Sequence, residues 1–283
     1  MNLNNQNIIL IDKDINLIQE LRALQAISES NYFISIDESQ KVKFELLKSR
    51  FGMDFKVGIL NGISISEILK VNHCLPITKI GGLNRALIFP NSITDYCKTL
   101  WAENRKYKFT FTGLITTERC YTLTKWIENN FEFCNPNIPI TNKLYFRLKM
   151  KLLSTFRIKD FFAKQYGELF IWSSNRGRVF PKKSWDEDYY RILSNSKFVL
   201  CPSGDYTWTY RFFESILCGA IPVVEKKCDA YEGFIYRNME ENPNNFLWTL
   251  EDAVFNYQLC IEKITIPLLD LNNELEILIK RNI

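Results

Sequence analysis

Residues 197–224 read KFVLCPSGDYTWTYRFFESILCGAIPVV, and the fold class turns on how this stretch is parsed. KFVLCPS is an apolar run that stops at a Pro-Ser-Gly turn, which is how a buried strand ends. TYRFFESILCG follows with helical spacing, and Gly219 stands where a helix C-terminus favours glycine. AIPVVEK then returns to strand. The pattern is a strand, a polar loop, a helix and a second strand, the unit of a parallel α/β sheet. Such sheets take ligands at the carboxyl ends of their strands. That places the loop Ser203–Thr209 and the first turn of the helix at the expected site.

Two opposite charges, Arg211 and Glu214, stand three apart among Phe212, Phe213, Ile216 and Leu217. On an ordinary solvated helix this spacing makes a weak surface ion pair. On a largely buried helix an ion pair without further hydrogen bonds is costly, which favours a ligand at the helix start. Free N–H groups there receive anions. The planar fork of Arg211 suits phosphate or carboxylate, and Glu214 could accept from a pair of ribose hydroxyls.

Outward from this block the same alternation continues. KYKFTFTGL, from Lys106, reads as a strand ending in glycine, and TTERCYTLTKWIENN as the next helix. ELFIWSS is a strand and DEDYYRILSNS a helix, with Trp185, Tyr189 and Tyr190 read as core aromatics. Residues 141–164 carry seven basic residues and one acidic residue, and read as a helix pair with one packed and one solvated face. In the first third, NIILID, YFISID, KVGILNG and RALIFPN are expected strands, with a weak helix around SISEILKV. The last forty residues read as helix. The expected organisation is two α/β lobes with mostly parallel sheets: residues 1–105, residues 106–260, and a C-terminal helix over 261–283 packing back on the first lobe.

The 283 residues are 46% hydrophobic and 24% charged, ordinary for a globular chain. A net charge of +4, from 36 basic and 32 acidic residues, does not argue for nucleic acid. The N-terminus lacks a signal-peptide pattern, and no run of about eighteen apolar residues announces a transmembrane helix. Peripheral contact with a membrane stays open. Eight scattered cysteines without a CxxC pair, and a single histidine, argue against a zinc site. They point to buried thiols in a reducing, cytoplasmic setting.

The block DYYRILSNSKFVLCPSGDYTWTYRFFESILCGAIPVV resembles the C-terminal signature of the exostosin-type glycosyltransferases: a Tyr-rich helix, a strand S-x-F-x-L-x-P, a glycine loop, R-x-x-E, and a small-residue–Pro–Val exit. FTFTGLITTERC is similar to that family's earlier segment. The resemblance implies a GT-B architecture, with two Rossmann-like lobes and a nucleotide-sugar cleft between them. It implies an inverting, metal-independent hexosyltransferase. Its substrates would be a nucleoside-diphosphate sugar, UDP ahead of GDP, and the hydroxyl of a glycan or lipid-linked glycan. It needs no cofactor. By the same resemblance Arg119 and Arg211 face the donor diphosphate; Ser203, Gly204 and Thr209 line the phosphate loop; and Glu214 takes the ribose. Tyr206 and Trp208 lie in the loop and are candidates to stack on base or sugar.

Where the family has an arginine this chain has Ser203, and Arg176, Arg178, Lys182 or Lys183 could supply the charge. The acceptor's base is open among His73, Asp12 and Asp37. A fucosyltransferase-like enzyme using a GDP-sugar, and a non-catalytic glycan-binding or partner module of the same architecture, are the alternatives.

Overall fold

A computed structural model describes residues 7–281 except 16, 52, 60, 61, 133, 157–160 and 175–186. The loop cations Arg176, Arg178, Lys182 and Lys183, and Trp185, lie outside the described residues.

The chain divides into two units of α/β structure. Among the described residues, one comprises the chain up to Asp95 together with everything from Ile261 onward; the other runs from Tyr96 to Cys260. The first contains β1 (Ile8–Leu10), α1 (Ile18–Ser28), β2 (Phe33–Ile36), α2 (Lys41–Phe51), β3 (Phe55–Val57), β4 (Ile63–Ser64), α3 (Ile65–Ile68), β5 (Leu69–Asn72), β6 (Ile77–Ile80) and β7 (Leu83–Arg85). α4 (Asn91–Thr99) leads out of it.

β1 to β4 form a parallel sheet in the order β3-β2-β1-β4. Short β-branched strands supply its core: Ile9, Ile34 and Ile63 pack with Leu24, Ile27 and Phe44. β5, β6 and β7 form a separate antiparallel sheet. This meander differs from the helix and strand expected there. The dipeptide Gly81-Gly82 explains it, because Gly81 adopts φ +56° in the tight turn between β6 and β7. The expected strand RALIFPN shifts accordingly: sheet pairing stops at Arg85, and Ile88–Pro90 run outside the sheet into α4, with Phe89 N donating to Ile264 O at 2.7 Å.

The second unit contains β8 (Tyr107–Thr112), α5 (Thr117–Asn130), α6 (Leu144–Thr155), β9 (Phe161–Tyr166), β10 (Leu169–Ser174), α7 (Glu187–Ser194), β11 (Ser196–Cys201), α8 (Tyr210–Leu217), β12 (Ile221–Val224), β13 (Arg237–Asn238) and α9 (Leu250–Ile264). Its sheet has the order β13-β12-β11-β8-β10-β9 and is parallel except for the edge pair β9–β10. The helix pair expected over 141–164 is therefore one helix and one edge strand. Gly167, at φ +53°, closes the hairpin that turns β9 back on β10. Phe109, Phe111, Phe198, Leu200 and Val223 on the strands pack with Leu123, Trp126 and Ile127 of α5. Pro222, which has no N–H for a ladder, falls one residue before β13 begins to pair.

After α9, α10 (Leu268–Arg281) seals the core of the first unit with Leu271, Leu275 and Ile279. Its Glu274 accepts from Gly82 N at 2.7 Å. All eight cysteines are free thiols. Among the described residues no helix is long and apolar enough to cross a membrane.

Candidate functional site

In the second unit the chain starts its sheet at β8, adds β9 and β10 on one side, and β11 to β13 on the other. β8 and β11 are parallel neighbours, so their carboxyl ends meet at this reversal of strand order. That is where an open α/β sheet leaves a crevice. Each strand hands over to a helix with a threonine N-cap: Thr116 accepts from Arg119 N at 3.3 Å, and Thr209 from Arg211 N at 3.4 Å. Both helices thus carry an arginine in the first turn.

The two arginines cross. Arg211, only 5% exposed, reaches back to the end of β8, where its Nε donates to Thr112 O at 2.5 Å and its guanidinium lies 4.3 Å from the centre of the Phe111 ring. Arg119 reaches the loop after β11, with Nε donating to Ser203 O at 3.4 Å and Nη1 to Leu114 O at 3.2 Å. A glycine admits each. A Cβ on Gly113 would stand 2.6 Å from Arg211 Nη2, and one on Gly204 would stand 2.5 Å from Arg119 Nη2.

This edge concentrates positive charge. Burial first, and then the nearby Arg211 cation, lower the Arg119 guanidinium to about 10, with Asp205 opposing. The amino ends of α5 and α8 add their own positive potential, which makes a cation there unfavourable unless an anion answers it. Among the described residues no carboxylate forms an ion pair with either arginine. Arg211 Nη1 and Ser203 Oγ are both buried with no hydrogen-bond partner among them. A buried polar group of this kind is answered by an ordered water or by a ligand atom.

The carboxylates nearby are otherwise engaged. Glu214 does not pair with Arg211. It accepts from Tyr189 Oη at 2.6 Å and Tyr190 Oη at 3.1 Å, both on α7. Burial and the Glu214 charge raise Tyr189 well above an ordinary phenol, so it stays a donor. Glu225, after β12, accepts from Ser203 N at 2.9 Å and Thr122 Oγ1 at 3.2 Å, and so fixes the start of the loop after β11. Thr209 N donates to Tyr231 Oη at 2.8 Å.

The structure therefore brings Arg119, Ser203, Gly204, Thr209 and Arg211 to one edge, with Glu214 one turn further along α8. Tyr206 is half-buried in the same loop. Trp208 is 5% exposed and meets Tyr210 edge-on at 4.9 Å, which leaves it little ring face for a base. Glu225 escaped the sequence reading, as did the part that Gly113 plays beside Arg211 and that Tyr189 and Tyr190, read only as core, play on Glu214. The glycine closing FTFTG and the glutamate closing AIPVVE were the available signals, since both stand at strand ends.

The base candidates lie in the first unit. Asp12 and Asp37 follow neighbouring strands β1 and β2. Asp12 accepts from Ser64 Oγ and, at 2.9 Å, from Ser66 Oγ. Burial raises its pKa, but these hydrogen bonds outweigh it and hold the carboxyl below its ordinary value. Asp37 is exposed and caps the turn at Glu38–Gln40 by accepting from Ser39 N at 2.8 Å, which also lowers its pKa. His73 sits in the β5–β6 turn with Nδ1 2.8 Å from Gln19 Oε1.

Residues 152–253 match the family described as RXYLT1 C-terminal domain. That family is related to the exostosin-like glycosyltransferases. The match covers just over a third of the chain, from α6 to the start of α9, so it includes Ser203, Thr209, Arg211 and Glu214 and stops short of Arg119. No curated protein matches the chain.

Proposed function

We propose that this chain is a glycosyltransferase of GT-B type that binds a nucleoside-diphosphate sugar at the β8–β11 edge. The donor diphosphate lies against Arg119 and Arg211, with Ser203 Oγ and the N–H groups at the start of α8 as further donors. The carrying observation is the reciprocal crossing of the two guanidiniums, with Arg211 Nη1 buried and unanswered among the described residues. The division into two units, each with a parallel sheet, is what such an architecture requires.

The chemistry follows from charge. As the sugar leaves, negative charge grows on the departing nucleoside diphosphate, and fixed cations in a partly dry site stabilise it without reorganising. Two arginines and a helix N-terminus can serve where other transferases use a divalent ion. Glu214, oriented by Tyr189 and Tyr190, keeps lone pairs for a ribose hydroxyl. The acceptor is a hydroxyl of a glycan or lipid-linked glycan, and displacement inverts the anomeric centre. The free thiols suit a reducing compartment.

Calorimetric titration of the protein with UDP and GDP tests this reading. Arg211→Ala and Arg119→Ala should each weaken binding by about 10- to 100-fold, since a charge-assisted hydrogen bond contributes about 1.5–3 kcal/mol. Equal affinity in wild type and both variants would sink the assignment.

A further inference from the structure

α6 presents the wrong kind of surface to water. Leu144, Leu148 and Leu152 recur every fourth residue, which at 3.6 residues per turn sets them on one face. They are 65%, 57% and 60% exposed, and Phe156 continues the row at 68%. Tyr145, 76% exposed, stands at its margin. The opposite face, Phe146 and Met150, is buried in the second unit, so the helix is already docked and the leucine row is a second apolar face. A contiguous exposed apolar row of this kind marks an interaction site. The solvated face expected for this segment is thus apolar rather than polar.

The charges decide what the row meets. At 100° per residue, Arg147 and Lys151 border the leucine row on one side and Lys149 on the other, all exposed. α6 contains no acidic residue. Apolar side chains at the centre, an aromatic at the margin and basic residues along both borders describe a helix lying in a membrane interface over anionic headgroups. A second copy of the chain fits less well, because a self-complementary contact would bring the same basic borders together.

We propose that α6 is a membrane-surface anchor: it docks the second unit on an anionic lipid surface, with Leu144, Leu148, Leu152 and Phe156 entering the acyl boundary and Arg147, Lys149 and Lys151 lying at the phosphates. The assignment does not depend on the transferase reading. It concerns a different face and a different ligand.

Co-sedimentation with phosphatidylcholine vesicles, with and without phosphatidylserine, tests it on the full chain. Wild type should pellet with the serine-lipid vesicles and stay in solution with the neutral ones. Lys149→Glu with Lys151→Glu should weaken binding about 25-fold or more, at about fivefold for each positive charge lost. Leu148→Ser with Leu152→Ser should weaken it at least about tenfold. All four side chains are exposed, so both variants should keep the wild-type circular dichroism and Tm, and a variant that loses them is replaced by its single substitutions. Equal binding to neutral vesicles, no binding to either, or binding indifferent to both variants overturns the proposal. So does a concentration-dependent dimer in sedimentation velocity that Leu148→Ser dissolves, since the row would then be a contact between copies.

Discussion

Arg119 and Arg211 each leave their own βα unit and settle against the other's glycine, Arg119 beside Gly204 and Arg211 beside Gly113. Two like charges are held close where two helix amino ends already make the potential positive, and each is kept there by backbone carbonyls. The arrangement is a poor way to stabilise an empty protein and a good way to receive an anion.

The glycines should separate geometry from stability. Gly113 has φ +128°, a region that strains any L side chain, and its added Cβ would also push Arg211 aside. Gly113→Ala should lower Tm, at a cost of about 1–3 kcal/mol, and weaken nucleotide binding. Gly204→Ala displaces Arg119 alone, so it should weaken binding with a smaller loss of Tm. Thermal melts paired with UDP titrations read both quantities; comparable binding in Gly204→Ala and wild type would deny Arg119 its role.

Arg119 is a burden in the absence of ligand. Burial and Arg211 disfavour its cation, so Arg119→Gln should raise Tm while reducing affinity for UDP. The pH dependence has a definite sign. The unfolded chain holds this proton more tightly than the folded one, so the penalty is present in full at neutral pH and fades as pH rises through about 10. Inorganic pyrophosphate, used as the bare anion, should bind with unchanged contribution from this group across the neutral range and lose affinity above about pH 10.

Glu214 holds two tyrosines, and Tyr190 is buried. Removing the carboxylate takes an acceptor from each of the two hydroxyls, so Glu214→Ala should cost about 2–4 kcal/mol. Glu214→Gln keeps one acceptor oxygen and should cost less. Chemical denaturation would measure the difference, and a neutral Glu214→Ala would mean that the tyrosines find water instead.

Ser203 offers the converse case. Its hydroxyl is buried without a partner among the described residues, so Ser203→Ala should leave the stability of the free protein within about 0.5 kcal/mol or raise it. If the hydroxyl meets a donor phosphate, the same change should weaken UDP binding about 5- to 10-fold, as for one neutral hydrogen bond.

Much of the second unit was legible because its strands and helices declare themselves locally. KFVLCPS, AIPVVEK and TTERCYTLTKWIENN each carry their period and their end signals within a dozen residues. The first unit was harder to read. ILKVNHCLPITKIGGLNRA mixes helix-like and strand-like spacing, and the pairing of β5 with β6, and of β6 with β7, overrode the helical reading after Ile68. FFAKQY looked like the tail of a helix until β10 paired with it, because an edge strand is specified by its partner as much as by its own residues.

The sequence by itself determined the strand–loop–helix units and an arginine near the start of each of two helices. Those are local matters of propensity and spacing. Only the tertiary structure decided that the arginines cross, that Glu214 belongs to two tyrosines, and that the leucine row of α6 faces outward. Each depends on β8 and β11 lying side by side, or on which face a helix spends against its sheet, and no window of sequence contains both partners.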